Sequence, residues 1–149
     1  MSISIVLFVD DFTKYTWIFP LKLKSETMSV FLKFNAFVDR HFSTKIQTLH
    51  TDWGGEFRGL GAHLETLGIR HIRSCPYIHQ QNGCAERKHQ HVVETGLSLL
   101  AQSTLPSEFW WDAFFTSTTI INVLPTPTLQ NKSPSQVLYS KSPSLSQLR

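Results

Sequence analysis

Two short apolar runs separated by a polar break constrain this chain more than any other feature. The first is Ile3-Ser4-Ile5-Val6-Leu7-Phe8-Val9, and Tyr15-Thr16-Trp17-Ile18-Phe19 follows after Asp10-Asp11-Phe12-Thr13-Lys14. The first run is almost wholly apolar, as expected of a strand buried on both faces. Together the runs read as a β-hairpin, with Pro20 expected to end the second strand. The first run also lacks a positive flank and runs straight into Asp10-Asp11, so it reads as neither a signal peptide nor a membrane span.

Strands and helices then alternate. Ser25 is the expected N-cap of a helix over 26–42, in which Met28, Phe31, Phe34, Val38 and His41 fall at helical spacing. Ile46–Thr51 reads as a strand, Arg58–Leu67 as a short helix stopped by Gly68, and Ile69–Arg73 as a further strand. Cys75–Gly83 is a loop marked by Pro76 and Asn82-Gly83. A helix is expected from about Cys84 to Gln102 with Val92, Val93, Gly96, Leu99 and Leu100 inward, and another begins at Pro106-Ser107. That last helix carries Trp110, Trp111, Phe114, Phe115, Ile120 and Ile121, a cluster that reads as core. Past Leu124, Pro, Thr, Ser and Lys dominate, the composition of a tail lying over the surface. The order ββαβαβαα within 149 residues predicts one α/β layered domain with a real core.

Hydrophobic residues at 41% and aromatic residues at 12% exclude a disordered chain. A net charge of +3 permits a polyanionic partner without demanding one. Cys75 and Cys84 are too few for a disulfide framework and form no zinc-type pair, which points to a reduced, intracellular protein, nuclear or cytoplasmic. No stretch is long enough to cross a bilayer.

Asp52 and Glu86 are the residues whose setting suggests chemistry. Asp52 closes the segment Ile46-Gln47-Thr48-Leu49-His50-Thr51-Asp52 and is followed by Trp53-Gly54-Gly55-Glu56-Phe57. Glu86 stands in His79-Gln80-Gln81-Asn82-Gly83-Cys84-Ala85-Glu86-Arg87-Lys88, at the opening of the predicted helix. An acid at the C-terminal end of an apolar strand, with another on a later helix, suits a two-metal phosphoryl-transfer site. There carboxylates hold Mg²⁺ ions about 3.5–4 Å apart, against the attacking and leaving oxygens.

Read together, these segments resemble the integrase catalytic core of Copia-type retrotransposons, particularly the plant elements. Phe8-Val9-Asp10-Asp11-Phe12-Thr13-Lys14-Tyr15-Thr16-Trp17 is similar to that family's second and third strands with their turn. Leu49 through Phe57 resembles the segment carrying its second catalytic Asp, and Pro76 through Arg87 the segment carrying its catalytic Glu. The 33 residues between Asp52 and Glu86 match the spacing of the plant members. Leu105-Pro106-Ser107-Glu108-Phe109-Trp110 and Ile120-Ile121-Asn122-Val123-Leu124-Pro125 fit its later helices.

The resemblance implies a ribonuclease H-like mixed sheet with flanking helices. It also implies a Mg²⁺- or Mn²⁺-dependent polynucleotidyl transferase that trims cDNA ends and joins them to target DNA through a 3′-hydroxyl. It marks Asp52 and Glu86 as the catalytic, metal-holding acids, and Gln80, Gln81, Asn82, Gly83, Arg87, Lys88 and His91 as contacts to nucleic acid. Self-association, as in other integrases, is a further implication. In such enzymes a first Asp on a central first strand completes the site, upstream of the segment that Phe8-Val9-Asp10-Asp11 matches. Neither that strand nor its acid is matched here, and Asp10 and Asp11 align with the hairpin turn. The expectation is a partial core over residues 1–124, an extension over 125–149, and a catalytically incomplete site beside exposed strand edges. The alternative is a non-catalytic DNA-binding or protein-interaction module derived from the same core.

Plainer readings stand beside these. Asp52 could hydrogen-bond the Gly54-Gly55 turn, and Glu86 could complement its helix dipole. Glu56 could form a local ion pair, Gly54 and Gly55 could supply a turn closed to larger residues, and Arg87, Lys88 and His91 could be a solvated helix face. His89 and His91, two residues apart on a helix, diverge too far to form a zinc pair.

Overall fold

The computed structural model describes residues 4–52, 54–74 and 83–140. The elements are β1 (Ser4–Val9), β2 (Thr16–Leu21), α1 (Thr27–Phe42), β3 (Thr48–Thr51) and α2 (Leu60–Thr66). They continue with β4 (Arg70–Arg73), α3 (Gly83–Ser103), α4 (Trp110–Val123) and α5 (Pro134–Tyr139). Among the described residues β1 pairs with β2 and β3 with β4, as two separate two-stranded sheets. Two compact units result, one of Met1–Val6 with Phe19–Cys84, the other of Leu7–Ile18 with Ala85–Arg149.

In the first unit β3 and β4 run parallel, Thr48 opposite Arg70 and Thr51 opposite Arg73. Parallel neighbours need a crossover, and α2 provides it, packing on β4 with Leu60 and Leu64 fully buried. Phe31 and Phe34 bury the inner face of α1, and Phe19 meets Phe34 edge-on at 5.9 Å. Ser25 does not cap α1. The chain first makes a single 3-10 turn over Lys24–Glu26, and Glu26 takes the capping role. Its carboxylate accepts the backbone N–H of Lys22 at 2.9 Å and of Leu23 at 3.2 Å. Those two bonds, Leu23's foremost, hold the Glu26 carboxyl below its ordinary pKa.

Pro20 does not end the second strand, because β2 runs through it to Leu21. Alternate residues of a strand point their N–H groups to the same edge, and that of Thr16 already faces away from β1. Pro20 is in phase with Thr16, so its missing N–H costs no ladder bond. Burial of β1 is also one-sided: Val6 and Phe8 are buried, whereas Ile5, Leu7 and Val9 are half-buried.

In the second unit the hairpin turn is tied by Asp10, whose carboxylate accepts from the Thr13 N–H at 2.8 Å and the Thr13 hydroxyl at 2.7 Å. Helix α3 packs on α4 where Gly96 leaves room for the Phe114 ring, which a Cβ at position 96 would strike. The buried Ser117 hydroxyl donates to the Val92 carbonyl at 2.9 Å and fixes the register of the two helices. Past Leu124 the chain is not a surface tail. Thr126 bridges Lys132, and a Ser133–Gln136 capping box starts α5 with Ser133 and Pro134 fully buried. Among the described residues no helix is long and apolar enough to cross a membrane.

Asn122 joins α4 to β2. Its side-chain oxygen accepts the Thr16 N–H at 2.9 Å, and its amide donates to the Thr16 carbonyl at 2.8 Å, both buried. Tyr15 lies beside this clamp, edge-on to Tyr139 at 5.8 Å. Burial, reinforced by Tyr139, pushes its phenol up to about 12. Replacing Asn122 by Ala strands two buried backbone groups, each worth about 1–3 kcal/mol when unsatisfied. The expected loss is about 3 kcal/mol by denaturant unfolding. Asn122→Asp should recover little of it, because a carboxylate can accept from Thr16 but cannot donate to it.

Candidate active site

Asp52 follows the last residue of β3 directly, where the strand delivers it to the open end of the parallel pair. Its Oδ1 accepts the Gly54 N–H at 2.8 Å, so the turn expected of a strand-end Asp is present. The glycine at 54 has a different reason from the one its turn suggests. Its φ of −52° is open to any residue, but a Cβ there would lie 2.8 Å from Asp52 Oδ1 and 2.9 Å from Glu56 Oε2. The Asp52 and Glu56 carboxylates therefore share the space above Gly54, which must have no side chain. A Cβ on Gly55 would meet nothing.

Behind Asp52 the sheet supplies polar support. Thr51 is buried, and its hydroxyl lies 2.7 Å from His71 Nε2 on β4. Burial, and secondarily the charge of Arg73, pulls the His71 pKa below its ordinary value. Arg73 ends β4 opposite Thr51, and with Arg58 it lines a small hollow together with Asp52, Gly54 and Phe57. His71, Arg73 and Arg58 were not singled out from the sequence. Only the parallel register, which pairs residues about twenty positions apart, brings the first two to Asp52.

Glu86 lies in the first turn of α3 with an exposed side chain, a position that also suits the helix dipole. At about 100° per residue, Arg87 and His91 share its exposed side of the helix, together with Gln90 and Glu94. Lys88 stands about 200° from Glu86, toward the side carrying buried Val92, and is half-buried. Gly83 is buried at the start of the same helix. Of the expected nucleic-acid contacts, then, α3 groups Arg87 and His91 with Glu86 and turns Lys88 away. Gln80, Gln81, Asn82 and Trp53 lie outside the described residues. Asp52 belongs to the first unit and Glu86 to the second. Among the described residues no group of three or more His, Cys, Asp or Glu side chains is placed to hold a metal ion.

No model of a known protein family matches the chain. Individual proteins do. The retrovirus-related Pol polyprotein from transposon RE1 of Arabidopsis thaliana is 45% identical over 144 residues, 97% of this chain and 10% of that protein. The chain belongs to the retrotransposon Pol family. The Pol polyprotein from transposon TNT 1-94 of Nicotiana tabacum is 36% identical over 97% of the chain and 11% of its own length. A Ty1 Gag-Pol polyprotein of Saccharomyces cerevisiae is 29% identical over 82% of the chain and 8% of its own length. The chain thus spans about a tenth of these relatives.

Solved structures identify which fold this tenth has. A chain of the simian T-cell lymphotropic virus intasome, in complex with a PP2A regulatory subunit, superposes with a TM-score of 0.72 at 22% identity. That match covers 93% of this chain and 49% of the other. The HTLV-2 integrase catalytic core, solved with magnesium in a trimeric form, gives 0.64 at 18% identity, covering 91% and 92%. The fold is that of a retroviral integrase catalytic core, ribonuclease H-like, as the sequence led one to expect.

The depressed His71 pKa has a direct consequence for stability. A histidine whose folded-state pKa lies below its unfolded value adds stability above about pH 6.5, and that stability drains away as pH falls through the folded value. Melting temperature should therefore drop on acidification from neutral pH, and His71→Gln should remove part of the drop. Parallel curves for the two proteins would contradict this account of His71.

Proposed function

We propose that this chain is the Copia-type integrase core of a retrotransposon Pol polyprotein, built to act on the phosphodiester backbone of DNA. The observation that carries the reading is the position of Asp52. It closes a parallel strand in an integrase-core fold, and the Gly54 N–H fixes its carboxylate. The relatives' sequence similarity over 97% of the chain supports the descent. DNA, as retroelement cDNA ends and target, is the partner this reading requires, and it sets the protein's work in the nucleus or, before entry, the cytoplasm.

Asp52 and Glu86 are the residues that would hold Mg²⁺ or Mn²⁺. The donor chemistry fits: carboxylate oxygens are hard ligands, and Mg²⁺ is commonly held by one or two carboxylates completed by water and substrate phosphates. When bound, such ions stabilise the attacking and leaving oxygens of a phosphodiester. The chain's own residues supply orientation. The Gly54 N–H keeps the Asp52 carboxylate in one plane, and the Thr51–His71 contact anchors the strand behind it. Arg87 and His91, beside Glu86 on the exposed side of α3, offer donors to backbone phosphates. In the strand-joining step a 3′-hydroxyl oxygen bonds to phosphorus, a P–O bond in the target breaks, and the departing oxygen takes a proton.

The motifs matched within these 149 residues carry two acids of a site that takes three. The isolated chain is therefore expected to bind DNA without joining it. In an assay with Mn²⁺ and a labelled donor end, no joined product should form. Product that vanishes in Asp52→Asn would show that two acids suffice. In fluorescence anisotropy, Arg87→Ala with Lys88→Ala should weaken duplex binding. It should also flatten the slope of log K against log salt by about 1–2. Binding indifferent to salt would count against a DNA ligand altogether.

A further inference from the structure

A pair of arginines on the first unit is left over once the acids and α3 are accounted for. Arg73 ends β4, and its guanidinium lies over Gly61 of α2, close enough that a Cβ there would come within 3.2 Å of Nη2. It lines two hollows at once. One is an open groove of about 560 Å³ shared with Gly61, Glu65, Ile69 and His71. The other is the smaller hollow shared with Asp52, Gly54, Phe57 and Arg58.

The charges in these hollows are unequal. The hollow at Asp52 holds two guanidinium groups against one carboxylate, and the groove holds Arg73 against Glu65, with His71 disfavoured as a cation. A guanidinium presents parallel N–H donors whose spacing matches two oxygens of a phosphate, which lysine cannot reproduce. Two such groups beside the acid that meets a phosphodiester are placed for the neighbouring phosphate of the same strand. A groove that leads away along His71 and Arg73 gives that strand a path.

We propose that Arg73 and Arg58 are positioning residues that grip a DNA backbone phosphate adjacent to the one presented at Asp52, with the strand following the groove over α2. This rests on the DNA-joining reading above, and it adds a phosphate contact on the β3–α2–β4 side, independent of α3. The competing explanation is that the two arginines only neutralise the Asp52 and Glu56 carboxylates and so serve the fold.

The test uses the whole chain, a labelled DNA duplex and a salt series, with thermal melting run on every variant. Arg58→Ala together with Arg73→Ala should weaken binding several-fold and flatten the salt slope by about one, the signature of one lost phosphate contact. Arg73→Lys should keep most of the slope but lose affinity, because the charge stays and the fork goes. Arg58 is exposed, so Arg58→Ala keeps the test open if Arg73→Ala does not fold. A scan of single neutral methylphosphonates along the strand adds a readout that a purely structural role cannot move. One position should weaken the unaltered chain and leave the double variant unchanged. Equal slopes for the unaltered chain and the double variant, or no such position in the scan, would overturn the proposal while leaving DNA binding through α3 intact. An unaltered chain that binds no DNA at any salt would overturn the functional reading and this inference with it.

Discussion

One side-chain amide holds the second unit to a single arrangement. Asn122 accepts from and donates to the backbone of Thr16, a residue 106 positions earlier, and it does so where no water competes. In effect it acts as one residue of a third strand. It fills the outer edge of β2 at the point where an open ribbon would otherwise expose paired polar groups. Buried hydrogen bonds are worth little net when made and much when broken, so the clamp specifies more than it stabilises. It sets which turn of α4 faces the hairpin. Through Tyr15 and Tyr139 it also places α5, and through Ser117 it places α3.

The candidate site follows a similar economy. The carboxylate of Asp52 is aimed by an N–H two residues on, and the space it needs is kept by the absence of a single methyl group at Gly54. Nothing in that arrangement demands unusual backbone. The demand is for emptiness, since two carboxylates converge where a side chain would sit. The sheet behind adds a buried hydroxyl–imidazole contact, which works only while His71 stays neutral.

How much of this the sequence disclosed depends on how local the cause was. The helix over 26–42, the strands around Val6 and Ile18, and the long helix opening near Glu86 rest on periodicity, and they stand within a residue or two of where they were expected. Asp52 and Glu86 were legible because their flanking residues are distinctive. What escaped had causes elsewhere in the chain. Pro20 is tolerated because of the edge its residue faces, which depends on pairing with β1. Glu26 outcompeted Ser25 because a longer side chain can reach back to two N–H groups in the preceding turn. Ser133 and Pro134 looked like tail but are buried. Arg73 and His71 gained meaning only through a register that no local pattern encodes.

The contact between Gly96 and Phe114 has a consequence for how such sequences drift. The ring occupies the volume a methyl at 96 would need, so neither position can be read alone. A step from Gly to Ala is open only to a copy that has already exchanged the ring for something smaller, and that first exchange leaves a void with its own cost. The two sites therefore change in a fixed order or not at all while the fold is being used. Among copies of a mobile element, a bulky residue at 96 beside an intact Phe114 would mark a lineage in which the folded protein had ceased to matter. The pair keeps a record of when selection let go.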